Sequence, residues 1–243
     1  SIKNYIEKKN KLLIMDLKNI KSEFPIFQQK INGKPLVYLD SANSSQKPKS
    51  VIDKISNFYR TEFSNVGRSV HTLAVKATNR FEETRDKVKE YLNAKYREEI
   101  IFTKSATESI NLVASSFGEK FIENGDEILI TELEHHSNYV PWHFLRKKKG
   151  AVIKFAEVNE KGEVEIDQIK KLINNKTKII AITHISNVTG AIMPIKKIVE
   201  LAKTKKIPVL IDGTQGAPHL KLDMQDLGCD FYAISCHKMY GPN

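Results

Sequence analysis

Lys238 stands just past a short apolar run, Phe231-Tyr232-Ala233-Ile234, in a turn that Gly241-Pro242 closes. The run reads as a buried strand, and open α/β sheets bind ligands beyond the carboxyl ends of their strands. An amine placed there can bond covalently to a carbonyl group. Most lysines are solvated surface charges, so Lys238 gains meaning only from what stands at the other strand ends.

After Ile100-Ile101-Phe102-Thr103 comes Ser105-Ala106-Thr107-Glu108, a capping-box pattern whose amides and hydroxyls suit a phosphate. Taken alone, it reads rather as an ordinary helix start. After Glu127-Ile128-Leu129-Ile130 come Glu134-His135-His136, where an imidazole can stack on a flat cofactor or move protons. The histidines lack the spacing of zinc ligands. After Ile179-Ile180-Ala181-Ile182 come His184, Ser186 and Asn187, polar groups suited to orienting a ring substituent or substrate. Asp212 ends Val209-Leu210-Ile211, with Gln215 three residues on. A carboxylate there needs a cationic or hydrogen-bonding partner: a protonated pyridine nitrogen supplies one, and a helix N-cap is the plainer alternative. Ser235 and His237 flank Lys238's turn. A phosphate cradle, a stacking ring, a pyridinium partner and a carbonyl-bonding lysine, one to each strand end, point together to a pyridoxal-phosphate enzyme.

The elements that must position these groups follow a regular order. From residue 99, the strand-like runs above, with Ala151–Phe155 among them, alternate with helical stretches at about 107–117, 139–148, 166–174 and 195–205. Such alternation predicts a mainly parallel, mixed sheet with helices on both faces. Upstream, residues 49–62 and 74–93 carry helical periodicity, and Asp16–Phe24 suits a short helix stopped by Pro25. Val37–Ala42 reads as a short strand, whereas Asn65–His71 is too rich in Gly, Ser and Asn for a helix.

The 243 residues suit one large α/β domain, and no apolar run is long enough for a membrane-spanning helix. Two cysteines, Cys229 and Cys236, give no disulfide framework and suit a reducing compartment. The net charge of +10 comes from lysines scattered along the chain, which reads as a solvated surface and not as a nucleic-acid face. The clusters Lys147–Lys149 and Lys203–Lys206 fall at helix ends, where cations complement the dipole. Residues 1–14 are polar and basic; they fit a tag remnant, an extension ahead of Met15, or the end of a targeting segment.

Several stretches carry a family resemblance: Leu39-Asp40-Ser41-Ala42, Thr107–Ala114, Glu134–Trp142, Thr183–Gly190, Val209–Gln215 and Cys229–Pro242. In these the chain resembles the SufS-type (group II) cysteine desulfurases of the aminotransferase class V family. The resemblance implies the large domain of fold-type I pyridoxal-phosphate transferases over 25–243, after an extension and short helix at 1–24. It implies that Lys238 holds pyridoxal 5'-phosphate covalently and carries protons. His135 would stack on the ring and assist proton transfer, Asp212 would pair with the pyridine nitrogen, and Gln215 would bond the ring hydroxyl. Thr107, Ser235 and His237 would bind phosphate, and Asn187 would contact cofactor and substrate; no metal is implied. The implied reaction takes sulfur from L-cysteine, releases L-alanine and leaves an enzyme persulfide for iron–sulfur cluster assembly. A homodimer, a SUF-type sulfur acceptor and a cytoplasmic setting follow, or an organellar one if residues 1–14 end a targeting segment.

The chain departs from the family at three points. The family's nucleophilic cysteine and carboxylate-binding arginine lie beyond the lysine, so the sequence reads as the N-terminal portion of a longer protein without its small domain. Cys229 and Cys236 read as packed thiols. Cys236 replaces a usual glycine in a turn it is expected to crowd, and Gly67 replaces the first histidine of Asn-Val-His-Arg-Gly-Val-His. Selenocysteine lyase, another class V enzyme, and a non-catalytic partner protein of the same fold are the alternative readings.

Overall fold

A computed structural model describes residues 17–242. The proposed extension at 1–14 lies outside them. Five strands form one parallel sheet: β3 (Glu127–Thr131), β4 (Val152–Ala156), β5 (Thr177–Thr183), β6 (Val209–Asp212) and β7 (Phe231–Ala233), in the order β4-β3-β5-β6-β7. A two-residue hairpin, β1 (Lys30–Ile31) and β2 (Lys34–Pro35), stands apart from it.

The central strands β3, β5 and β6 are buried on both faces because they alternate between two apolar sets. On β5, Ile180 and Ile182 face one core with Leu129, Val209 and Ile211, while Ile179 and Ala181 face the other with Ile128, Ile130 and Leu210. This is the period-two pattern of a strand packed on both sides. The first core is covered by α6 (Ile166–Leu172) and α7 (Ile195–Thr204), which contribute Ile169, Ile195, Ile198 and Val199. The second is covered by α4 (Ala106–Val113) and α5 (Val140–Lys149), through Ile110, Trp142 and Leu145. Helix α4 runs on through a π-turn at Ala114–Gly118 into Glu119–Phe121. The basic clusters do fall at helix ends: Lys147–Lys149 in the last turn of α5, Lys203 in the last turn of α7, and Lys205 and Lys206 just past it.

Upstream lie α1 (Leu17–Ser22), α2 (Lys49–Thr61) and α3 (Thr72–Leu92). Two further short helices, α8 (Gly216–His219) and α9 (Met224–Leu227), connect β6 to β7. No helix among the described residues is long and apolar enough to cross a membrane.

Two expected strands are absent. Ile100–Thr103 is extended at Ile100 but pairs with nothing among the described residues, and Ile101 and Phe102 are exposed. Val37–Ala42 also forms no ladder, and its Leu39 is 91% exposed. Propensity makes these runs competent to be strands, but a strand exists only when a second one supplies its hydrogen bonds. Asn65–His71 is irregular, as its composition predicts. Gly67 adopts φ +74°, beside Arg68 at φ +55°. The lost histidine therefore sits at a left-handed position that glycine occupies without a Cβ penalty.

Candidate functional site

The strand order reverses direction between β3 and β5, the place where open α/β sheets leave a crevice beyond their carboxyl ends. A cleft of about 590 Å³, counted with the space open to solvent, lies there. Lys238, His135, Thr107, Asn187, Asp212, Gln215, Ser235 and His237 all line it. Its floor is buried: Asp212, Gln215 and Ser235. Lys238 and His237 are half-buried, while Thr107, His135 and Asn187 form an exposed rim.

The floor is set by hydrogen bonds that leave particular atoms available. Asp212 Oδ1 accepts from Thr214 N at 3.0 Å, a local turn and not a helix cap, since α8 has no side-chain cap. The carboxylate also opposes the loss of charge at Lys238, as Asp40 does, while burial pulls the Lys238 pKa below its ordinary value. Gln215 donates Nε2 to Ala42 O at 2.6 Å, so its Oε1 is the atom left to accept. Ser235 Oγ accepts from Ala106 N at 3.0 Å, which docks the start of α4 on the end of β7 and leaves the hydroxyl proton to donate. Burial and the nearby Lys238 and Lys47 charges hold the His237 pKa below its ordinary value.

At the rim, His135 Nδ1 accepts from Ser137 N at 3.1 Å, which places its ring proton on Nε2. Ser137 Oγ lies 2.7 Å from Thr107 Oγ1, joining the loop after β3 to the first turn of α4. The capping box at α4 is altered from its expected form. Ser105 Oγ accepts from Glu108 N at 3.2 Å, but the Glu108 carboxylate reaches Lys104 N, not the Ser105 amide.

Two expected contacts are displaced. His184 lies behind the cleft, its Nδ1 2.8 Å from Tyr232 Oη, and burial lowers its pKa. Ser186 Oγ accepts from Val188 N and Thr189 N, both at 3.2 Å, and so shapes the loop that carries Asn187. Both side chains are occupied in structure. Cys236 is another correction: it is exposed, not packed, and its φ lies outside the left-handed region, so no glycine is demanded there. Cys229 is half-buried, and burial pushes its thiol up to about 11.

Sequence reasoning missed several groups. Asn43, Ser137, Thr183 and Thr214 also line the cleft. Glu134, next to His135, anchors the loop after β3: Oε1 accepts from Thr131 Oγ1 (2.6 Å) and Thr183 N (2.9 Å), and Oε2 accepts from Asn138 Nδ2 (2.6 Å). Asn138 is oriented in turn by Trp142, which donates Nε1–H to its Oδ1 at 3.1 Å. Although the residue keeps some contact with solvent, its carboxyl is crowded by protein, and desolvation raises its pKa to about 8. The run of polar residues Glu134, Ser137 and Asn138 beside a buried tryptophan was the available signal.

Residues 37–243 match the family model described as Aminotransferase class-V. A protein named "Probable cysteine desulfurase" from Halalkalibacterium halodurans is 49% identical over 94% of this chain and 56% of its own length. One of the same name from Staphylococcus aureus is 51% identical over 93% of this chain and 55% of its own. Among solved structures, the cysteine desulfurase CsdA from Escherichia coli superimposes with a TM-score of 0.83 at 36% identity, and a cysteine desulfurase from Thermococcus onnurineus with 0.86 at 33%. Each structural match covers 93% of this chain and 55% of the other. The α/β fold is thus shared with cysteine desulfurases, and the chain spans about half the length of these relatives.

Proposed function

The chain belongs to the aminotransferase class-V family, and from that premise we propose that it is the cofactor-binding part of a pyridoxal-phosphate-dependent cysteine desulfurase. The observation that carries this reading is the convergence of Lys238, Asp212, His135 and Gln215 on one cleft. A scaffold protein has no physical need for that set, which argues against a non-catalytic partner.

The donor set fits the cofactor. The start of α4, with the Thr107 and Ser235 hydroxyls and the His237 imidazole, offers donors for a phosphate. Asp212, buried and with no cationic hydrogen-bonding partner among the described residues, suits a pyridinium nitrogen. Gln215 Oε1 can accept from the ring hydroxyl, His135 can cover one face of the ring, and Asn187 can meet ring and substrate. Pyridoxal phosphate when bound supplies the electron sink for breaking bonds at the substrate's α-carbon and beyond. Lys238 would be the amine that holds it and would then move the proton; its lowered pKa raises the fraction in the neutral, nucleophilic form. His135, whose Nδ1 is taken up by Ser137 N, would exchange a proton through Nε2 at the open side of the cleft.

The proposed reaction converts L-cysteine to L-alanine and an enzyme persulfide, which a SUF-type acceptor would carry to iron–sulfur cluster assembly. A homodimer and a cytoplasmic setting complete the proposal, with residues 25–243 as the large domain. Selenocysteine lyase activity on the same site is distinguished by substrate assay. The decisive test is borohydride reduction of the whole protein after treatment with pyridoxal phosphate, followed by peptide mass mapping. A phosphopyridoxyl group on Lys238, absent from Lys238→Ala, is the expected result; its absence from Lys238 would overturn the enzymatic reading.

A further inference from the structure

The turn that presents Lys238 spans only Cys236–Lys238. A single 3₁₀ turn has too few internal hydrogen bonds to fix the base of a long, flexible side chain. This one is held from outside. The carbonyl of His237, which begins the peptide bond into Lys238, accepts from Ser45 N, Ser45 Oγ and Lys47 Nζ, each at 2.9 Å. On the far side of the lysine, Tyr240 N donates to the same Ser45 Oγ at 2.8 Å. One hydroxyl therefore ties together residues 237 and 240, which bracket Lys238.

The strap that carries Ser45 is itself anchored. Tyr38 Oη donates to Ser44 O at 2.6 Å, and Gln215 donates to Ala42 O from the cleft floor. Ser45 is 5% exposed, so water does not compete for its hydroxyl. Lys47 Nζ also donates to Ser45 O at 2.8 Å, which places an ammonium between the strap and the turn.

We propose that Ser45, assisted by Lys47, is a positioning residue for Lys238: it locks the backbone on both sides of the lysine and so fixes where the amine stands in the cleft. The proposal rests on the reading of Lys238 as the cofactor-bearing amine. The charged groups acting on that amine are the carboxylates of Asp212 and Asp40, with His237 beside it and Lys47 on the adjoining carbonyl. Held by the strap, the amine is partly withdrawn from water and its pKa is lowered. Released, it moves toward solvent and toward an ordinary lysine's titration.

The test is limited reductive methylation of the cofactor-free whole protein across a pH series, with each lysine's labelling read by peptide mass mapping. In Ser45→Ala the pH at which Lys238 becomes reactive shifts upward, while that of exposed lysines such as Lys170 does not move. Ser45→Thr, which keeps the hydroxyl, returns Lys238 to the parent profile, and Lys47→Met shifts it as Ser45→Ala does. If Ser45→Ala fails to fold, Lys47→Met and Ser45→Thr still decide the matter. A Lys238 profile in the alanine and methionine variants that superimposes on the parent overturns the proposal, as does a threonine variant that behaves like the alanine one. Borohydride capture of pyridoxal phosphate on unmethylated portions of the same proteins separates the two readings. Failure of capture in the parent overturns the functional one, while the labelling profile still decides whether Ser45 positions the amine.

Discussion

Replacing Glu134 with glutamine probes the charge and the hydrogen-bond directions of the loop beside His135 together. Trp142 Nε1–H can only donate, which fixes Asn138 Oδ1 as acceptor and points Asn138 Nδ2 at the carboxyl. Thr183 N–H donates to the other oxygen. Glu134 is thus asked to accept on both oxygens, and a glutamine has only one acceptor oxygen. In Glu134→Gln an N–H faces an N–H, which costs about 1–3 kcal/mol. The second effect depends on pH. With the folded pKa raised from 4.5 to about 8, the folded protein keeps a proton that the unfolded chain releases. That proton can be directed at Thr131 Oγ1, a partner able to accept as well as donate. The stability associated with this group is complete below pH 4.5 and is lost as pH rises through about 8. The slope is about 1.4 kcal/mol per pH unit, and the whole loss is on the order of 5 kcal/mol at most, lessened by the residue's remaining solvent contact. The assay is urea denaturation of parent and Glu134→Gln between pH 5 and pH 9, at roughly unit steps. The variant is expected to be less stable at pH 5 and to gain on the parent with each step upward, because every other titrating group is common to both. Curves that stay parallel across the series would refute the assignment of a raised pKa to Glu134.

Gly213→Ala places a Cβ within the ring of Tyr232 next to Asp212. Overpacking of this kind costs about 1–3 kcal/mol, so the urea midpoint falls and pyridoxal-phosphate capture at Lys238 weakens; an unchanged midpoint and capture would contradict the packing. The two thiols differ in reactivity, because Cys236 is exposed and the Cys229 thiol is pushed up to about 11. Iodoacetamide at pH 8, read by mass mapping, should label Cys236 faster by on the order of a hundredfold, and equal rates would count against the burial of Cys229.

The residues at strand ends were legible because a strand's carboxyl end fixes where the next few side chains go. Asp212 and Ser235 needed only the apolar runs before them to be placed on the cleft floor. What lay beyond local pattern was decided by partners distant in sequence. Ser45 meets His237 across 192 residues, and no periodicity announces such a contact. Ile100–Thr103 has the composition of a strand, yet pairing belongs to two segments and cannot be read from one. His184 stands at a strand end as expected, but Tyr232, which turns its ring away from the cleft, comes from a different strand. Glu134 was overlooked because its neighbour His135 has the more familiar chemistry; its role appears only when the donors around it are counted.

The parallel order of the sheet also bears on how the protein reaches its native state. Adjacent parallel strands cannot be closed by tight hairpins, so each pairing requires a crossover. The central pair, β3 and β5, joins segments on either side of an entire strand and two helices. Chains dominated by such distant pairings fold slowly, because loop closure must precede the contacts that compensate for it. The cleft draws on four of the five strand ends and on the start of α4. It takes shape only when the central pair and both later strands are in register, so recovery of cofactor capture during refolding should lag behind the return of helical signal.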